Sequence, residues 1–289
     1  MAKVRLILGS GGARGIAHIG VIEELINDGH EIVEVVGCSM GAVVGGIFCA
    51  GHLQPYKEWL LTLTRSSVFS LTDFTFTRQG FVKGEKVFST ILDMTGPLNI
   101  EDLPIPFTAV STDIGTMTEV HINKGNLFSA LRASIAIPGI FTPVIEGKNM
   151  LVDGGVLNPL PIDLVSKNEG DLVVAVNINS KDSSPIKSSP KPQDEPQKNW
   201  IPISWPFHKK DQENHPPNYS LIDLLQTSYD HTQDRLTEMI IKHYKPDLVV
   251  NIPRSSCATF EFYRAKEMIE FGKKAYHDAH KTLAKQKLI

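Results

Sequence analysis

The opening of the chain alternates two short apolar runs with two glycine turns and two helical patterns, and that order dictates a parallel sheet. Val4 to Leu8, apolar except for Arg5, stops at Gly9 and reads as a largely buried strand. Gly9-Ser10-Gly11-Gly12-Ala13-Arg14-Gly15 follows as a loop with four glycines in seven positions. Ile16, Ile19, Ile22, Leu25 and Ile26 then recur at helical spacing, which predicts a helix closed by Asn27-Asp28-Gly29, with Gly29 as its C-cap. Ile32 to Val36 is a second strand, and Gly37-Cys38-Ser39-Met40-Gly41 turns it into a second helix. Strand, helix, strand, helix implies right-handed crossovers and the α/β class, a mostly parallel sheet covered by helices on both faces.

Val35 to Gly51 carries no charge and approaches the length of a membrane span. Its glycines (Gly37, Gly41, Gly45, Gly46) and Ser39 fit a strand, a tight turn and a buried helix better. The N-terminus has neither the apolar length nor the cleavage site of a signal peptide. With 29 basic against 32 acidic residues, nothing favours nucleic acid. Three cysteines are too few and too odd for a disulfide framework. The expectation is a soluble cytoplasmic protein that can still touch a membrane surface through an exposed apolar patch.

The whole chain, 1–289, reads as one domain. Val87, Phe88, Ile91 and Leu92 form a helical stripe. Phe107 to Ser111 and Thr118 to Ile122 are candidate paired strands around Thr112-Asp113-Ile114-Gly115. Leu127 to Ser134 is helical and Met150 to Val152 is a short strand. Leu172 to Ile178 and Asp247 to Ile252 are buried strands, and Thr259 to Lys287 is a C-terminal helix. The segment at about 180–218 holds eight of the 18 prolines and reads as a mobile insertion. Trp200, Trp205 and Phe207 within it either pack back on the core or anchor the protein at a lipid interface.

Gly37-Cys38-Ser39-Met40-Gly41 is a G-x-S-x-G. A serine on a sharp strand-to-helix turn projects its hydroxyl, and Gly37 and Gly41 avoid collisions in that geometry. Ser39 is therefore the candidate nucleophile. The amides of the first glycine loop can stabilise an oxyanion or cradle a phosphate. Arg14 occupies the place of the last glycine in a dinucleotide fingerprint, and Gly9 to Gly15 is no Walker A. A base is harder to find. His208 and His215 fall in the insertion, and His231, His243, His277 and His280 fall on predicted helices. Leu151-Val152-Asp153-Gly154-Gly155 places a carboxylate at a strand end, where a parallel sheet builds its sites, although Asp-Gly is also an ordinary turn.

Four blocks in order carry a resemblance: residues 10–15, residues 37–41, Ala133-Ser134-Ile135-Ala136-Ile137-Pro138, and residues 153–155. The chain resembles bacterial patatin-like phospholipases, related to the catalytic domain of neuropathy target esterase. The resemblance implies a three-layer α/β fold and a serine esterase acting on phospholipids, lysophospholipids or related lipid esters without cofactor or metal. It implies a Ser–Asp dyad of Ser39 and Asp153, an oxyanion loop at Gly11, Gly12, Ala13 and Arg14, and a nucleophile elbow flanked by Gly37 and Gly41. Ser10 departs from the family, where many members have a glycine. A non-catalytic lipid-binding or regulatory protein that keeps the fold is the alternative. Arg14 either steadies its loop or meets a lipid phosphate, and His18 reads as a core residue. Asp113 shapes its turn, residues 133–138 position the site by packing, and Cys38 points elsewhere on its turn. His277 and His280 share a helix face without a third metal ligand.

Overall fold

A computed structural model describes residues 2–77, 80–165, 168–181 and 221–286. β1 (Lys3–Leu8) leads through the glycine loop to α1 (Ala17–Asn27), then to β2 (Glu31–Cys38), α2 (Met40–Cys49), α3 (Leu53–Thr62) and α4 (Arg65–Leu71). A small hairpin, β3 (Phe74–Thr77) and β4 (Gly80–Val82), precedes α5 (Glu85–Thr95). The chain continues through β5 (Phe107–Asp113), β6 (Thr118–Ile122), α6 (Leu127–Ser134), β7 (Val144–Glu146), β8 (Asn149–Asp153) and β9 (Leu172–Ser180). It ends with α7 (Leu221–Tyr244), β10 (Leu248–Pro253) and α8 (Ala265–Gln286).

β10, β9, β1, β2 and β5 are parallel in that order, as the opening motif requires. β6, β7 and β8 add an antiparallel portion. One edge of β5 is shared. β2 pairs in parallel with residues 107–110, ending at Cys38 opposite Val110. β8 pairs antiparallel with residues 111–113, ending at Asp153 opposite Ser111. Because β6 occupies residues 109–113 from the other side, β2 and β8 must meet tip to tip along the same edge. Asp153 lies at a strand end, on an antiparallel strand that runs toward β2, so its carboxylate meets the carboxyl end of that parallel strand beside Cys38.

On one face of the sheet, Leu6, Leu8, Val35, Val174, Val176 and Val250 pack against α1, α2, α3, α5, α6 and α8. On the other, Ile7, Val173 and Ala175 meet Leu160, Ile162 and the α7 residues Ile240 and Ile241. α2 has no polar side chain from Met40 to Cys49 and is accordingly buried almost throughout. α1 and α8 cross closely, because a Cβ at Gly20 would lie 2.0 Å from Ile269 O and one at Gly272 2.0 Å from Ala17 O. Arg5, the one partly buried charge in β1, is held by Asp171 at 2.8 Å and by Glu34, whereas Lys3 is exposed.

Two apolar stripes are narrower than their spacing suggested. Ile26 is 49% exposed beside Leu25 at 1%, and Leu92 is 39% exposed beside Ile91 at 0%. Neighbours in a helix point about 100° apart, so where one takes the core the other turns out. The insertion expected at 180–218 lies, beyond Lys181, outside the described residues, and Trp200, Trp205, Phe207, His208 and His215 lie there with it. Among the described residues no helix is long and apolar enough to cross a membrane.

Candidate active site

Ser39 sits between β2 and α2 with φ 55° and ψ −125°, a conformation that non-glycine residues rarely adopt. The flanking glycines make it attainable. A Cβ at Gly41 would stand 2.1 Å from Leu8 O, and one at Gly37 would stand 2.5 Å from Ala42 Cα. The Ser39 N–H donates to Ser134 Oγ at 2.9 Å, and Ser134 Oγ–H donates to Val110 O at 2.6 Å. Ala136 O accepts the Asp153 N–H at 3.0 Å. Residues 133–138 thus hold both candidate catalytic residues by hydrogen bonds, where packing alone was expected.

Asp153 is fully buried. Its Oδ1 accepts from Gly155 N at 2.7 Å and from the Cys38 thiol at 3.8 Å. The Ser39 side chain interacts with the carboxylate, yet Oδ2 has no well-aligned donor. Loose alignment of this kind is common before substrate is bound. Burial pushes the Asp153 carboxyl up to about 6, against the opposing pull of the Ser39, Gly155 and Cys38 donors. Cys38 therefore does not point away from the site, because its sulfur lies on the candidate base. Burial, reinforced by the neighbouring carboxylate, raises its thiol well above the ordinary range and keeps it protonated.

The glycine loop borders the same site through Ser10, whose Oγ and Asp153 Oδ1 would each lie 3.0 Å from a Cβ on Gly155. Gly12 is left-handed, with φ 60°, and a Cβ there would strike Thr259. Ala13 N donates to Thr259 O at 2.9 Å, so Ala13 is removed from the set of oxyanion donors. Gly9 N and Ser10 N are bonded to Val176 O and Pro159 O, whereas the amides of Gly11 and Gly12 have no acceptor among the described residues. Arg14 is buried, and its guanidinium donates to Ile178 O, Cys257 O and Asn179 Oδ1 at 2.9–3.1 Å. It ties the loop to β9 and to the turn after β10, and its burial at 4% exposure fits the steadying role of the two expected for it.

No histidine contacts Ser39 among the described residues. His18 is fully buried and its Nε2 donates to Gly9 O at 3.0 Å, which identifies a loop-supporting core residue. Burial lowers its pKa to about 4. His277 bonds Glu24 at 2.8 Å and His280 stacks on Tyr276. Asp113 shapes its turn by accepting from Gly115 N and Thr116 Oγ1. Ser134 and Gln233 are site residues that motif reading overlooked. Ser134 lies inside a recognised block, and Gln233 carries no sequence signal, being one polar residue on a long mixed helix.

The sequence model of the patatin-like phospholipase family matches residues 6–166, from β1 past the Asp153 turn. An uncharacterized NTE family protein of Mycobacterium tuberculosis is 32% identical over 94% of this chain and 89% of its own length. The neuropathy target esterase sws of Drosophila melanogaster is 32% identical over 64% of this chain, which is 13% of that much longer protein. VipD from Legionella pneumophila superposes over 98% of this chain and 67% of its own at a TM-score of 0.47, with 13% identity. With the family match covering more than half of the sequence and a relative aligned along nearly all of it, this chain belongs to the patatin-like phospholipase family.

Proposed function

We propose that the protein hydrolyses carboxylic esters of phospholipids, lysophospholipids or related lipids through a Ser39–Asp153 dyad. The observation that carries this reading is the buried Asp153 carboxylate, with Oδ1 engaged by Gly155 and Cys38, Oδ2 without a partner, and the Ser39 side chain interacting with the carboxylate. Family membership supplies the lipid hydrolase class. The substrate range and the dyad are our reading of the site.

In this reading Asp153 takes the Ser39 Oγ proton as Oγ bonds to the acyl carbon. The carbonyl electron pair moves onto oxygen, facing the free amides of Gly11 and Gly12. Asp153 returns the proton to the leaving alcohol oxygen as the C–O bond breaks, leaving an acyl group on Ser39. Water, deprotonated by Asp153, then releases the fatty acid, and Ser39 recovers its proton. A carboxyl titrating near 6 is ionised at neutral pH and basic enough to assist.

The test is turnover of a short soluble ester and of a lysophospholipid, with fluorophosphonate labelling as a count of reactive serines. Wild type should label once and turn over both substrates. Ser39→Ala should do neither, and Asp153→Asn should lose at least about 10²-fold in turnover while remaining folded. A folded wild-type protein that binds lipid vesicles but neither labels nor hydrolyses would favour a regulatory lipid-binding role.

A further inference from the structure

Beside Gly155, next to Asp153, α7 inserts a buried polar side chain into the site. Gln233 is 3% exposed, and its Nε2 donates to Tyr229 Oη at 2.9 Å and to Ser10 Oγ at 3.3 Å. Both amide hydrogens are thereby engaged. A Cβ placed on Gly155 would lie 2.1 Å from Gln233 Nε2 and 3.0 Å from both Asp153 Oδ1 and Ser10 Oγ. These three polar atoms converge over the bare face of Gly155. The Ser10 side chain also interacts with the Cys38 thiol, which in turn donates to Asp153 Oδ1 at 3.8 Å.

Hydrogen-bond direction follows from chemistry. An amide nitrogen only donates, so Ser10 Oγ accepts from Gln233 and its own hydrogen is free to go forward to Cys38. A protonated thiol passes its hydrogen on to the carboxylate. We propose that Gln233 is a positioning residue for the Asp153 base, its amide fixing a one-way donor chain through Ser10 and Cys38 onto Oδ1 that reserves Oδ2 for Ser39. The inference rests on the dyad reading above and assigns a role to Ser10, the position at which this chain departs from the family's usual glycine.

The titratable groups facing the carboxylate are Cys38 from β2 and Tyr229 from α7, both neutral because burial raises their pKa. Others nearby are engaged elsewhere. Glu119 of β6 accepts from His121 and Asn158, and Asp113 of β5 is held in its turn. Arg132 of α6 donates to Lys83 O and Thr142, and Asp230 of α7 pairs with Arg254. Removing a donor from the chain withdraws support from the charged form of Asp153, so protonation should reach it at higher pH.

The test is the pH profile of kcat/KM on p-nitrophenyl butyrate. In Gln233→Met and in Ser10→Ala the acid limb should move up by about half a unit to one unit. Turnover should fall at pH 6 and approach wild type at pH 8.5, with KM little changed. Ser10→Thr, which keeps the hydroxyl, should restore the limb. A limb that stays in place in both variants, whether turnover drops equally at every pH or not at all, overturns the proposal and leaves Gln233 a packing residue. If only one variant folds, its limb decides. Fluorophosphonate labelling of the same samples separates the two readings. Wild type that fails to label removes the dyad itself, and the chain then has no base to position.

Discussion

The backbone N–H of Ser39 and the side chain of Ser134 are 2.9 Å apart, and the same Ser134 hydroxyl reaches Val110 O at 2.6 Å. One oxygen therefore bolts the strained elbow to β5. Ser134→Ala leaves a buried donor and a buried acceptor short of a partner, at a cost of about 1–3 kcal/mol. It also frees Ser39 to relax from its positive φ. Because small misplacements of a reacting atom cost up to about 10²-fold, kcat on a short ester should fall by about one to two orders of magnitude in a folded protein. Unchanged kcat with a lowered melting temperature would reduce Ser134 to a structural brace.

Asp153 trades stability for reactivity. Its folded pKa of about 6 lies above the unfolded value of 3.8, so the native state holds the proton more tightly. The stabilisation this gives is complete below about pH 4 and lost as pH rises through about 6. Two units correspond to about 3 kcal/mol. Asp153→Asn should therefore be inactive yet more stable than wild type at pH 8, with the gap closing toward pH 4. Denaturant unfolding at the two pH values checks this, and equal stability at both would contradict a carboxylate whose burial outweighs its hydrogen bonds.

His18 has the opposite sign. Its folded pKa of about 4 lies below the unfolded 6.5, so stability is fully present above 6.5 and is lost as pH falls toward 4. His18→Gln, which can still donate to Gly9 O, should flatten the acid side of the stability profile by up to about 3 kcal/mol. A profile as steep as wild type would place the proton uptake elsewhere.

Gly272 lies in the middle of α8, where alanine ordinarily gains about 1 kcal/mol. Here the new methyl would stand 2.0 Å from Ala17 O, a backbone atom that cannot swing aside. Overpacking of about 1–3 kcal/mol should win. Gly272→Ala should lower the melting temperature while leaving fluorophosphonate labelling intact, and a rise would show that α1 and α8 can part at little cost.

Much of this was legible in the residue order. The strand, glycine loop and helix that open the chain demanded parallel pairing, and the G-x-S-x-G between a β-branched run and an apolar helix marked Ser39. The Asp-Gly-Gly setting left Asp153 between a site carboxylate and an ordinary turn, and the family resemblance singled it out; its placement on an antiparallel strand was not legible, because strand direction depends on partners distant in sequence. The aim of the Cys38 sulfur likewise depended on where β8 ends. Gln233 was invisible, since a glutamine on a 24-residue helix looks solvated until the helix docks.

The end-to-end meeting of β2 and β8 has a mechanical consequence. Adjacent strands in a sheet are rotated by about 20–25°, so groups carried on neighbouring strands turn relative to each other whenever the sheet flexes. Cys38 and Asp153 pair with consecutive residues, Val110 and Ser111, of one strand. A torsional fluctuation of the sheet carries nucleophile and carboxylate together, as two fittings on one beam. What that beam does not tolerate is sliding, since a one-residue slip of β8 along β5 would turn the carboxylate to the opposite face. Ser111 Oγ on Val152 O at 2.6 Å and Met150 N on Asp113 Oδ1 at 3.2 Å act as the stops against it.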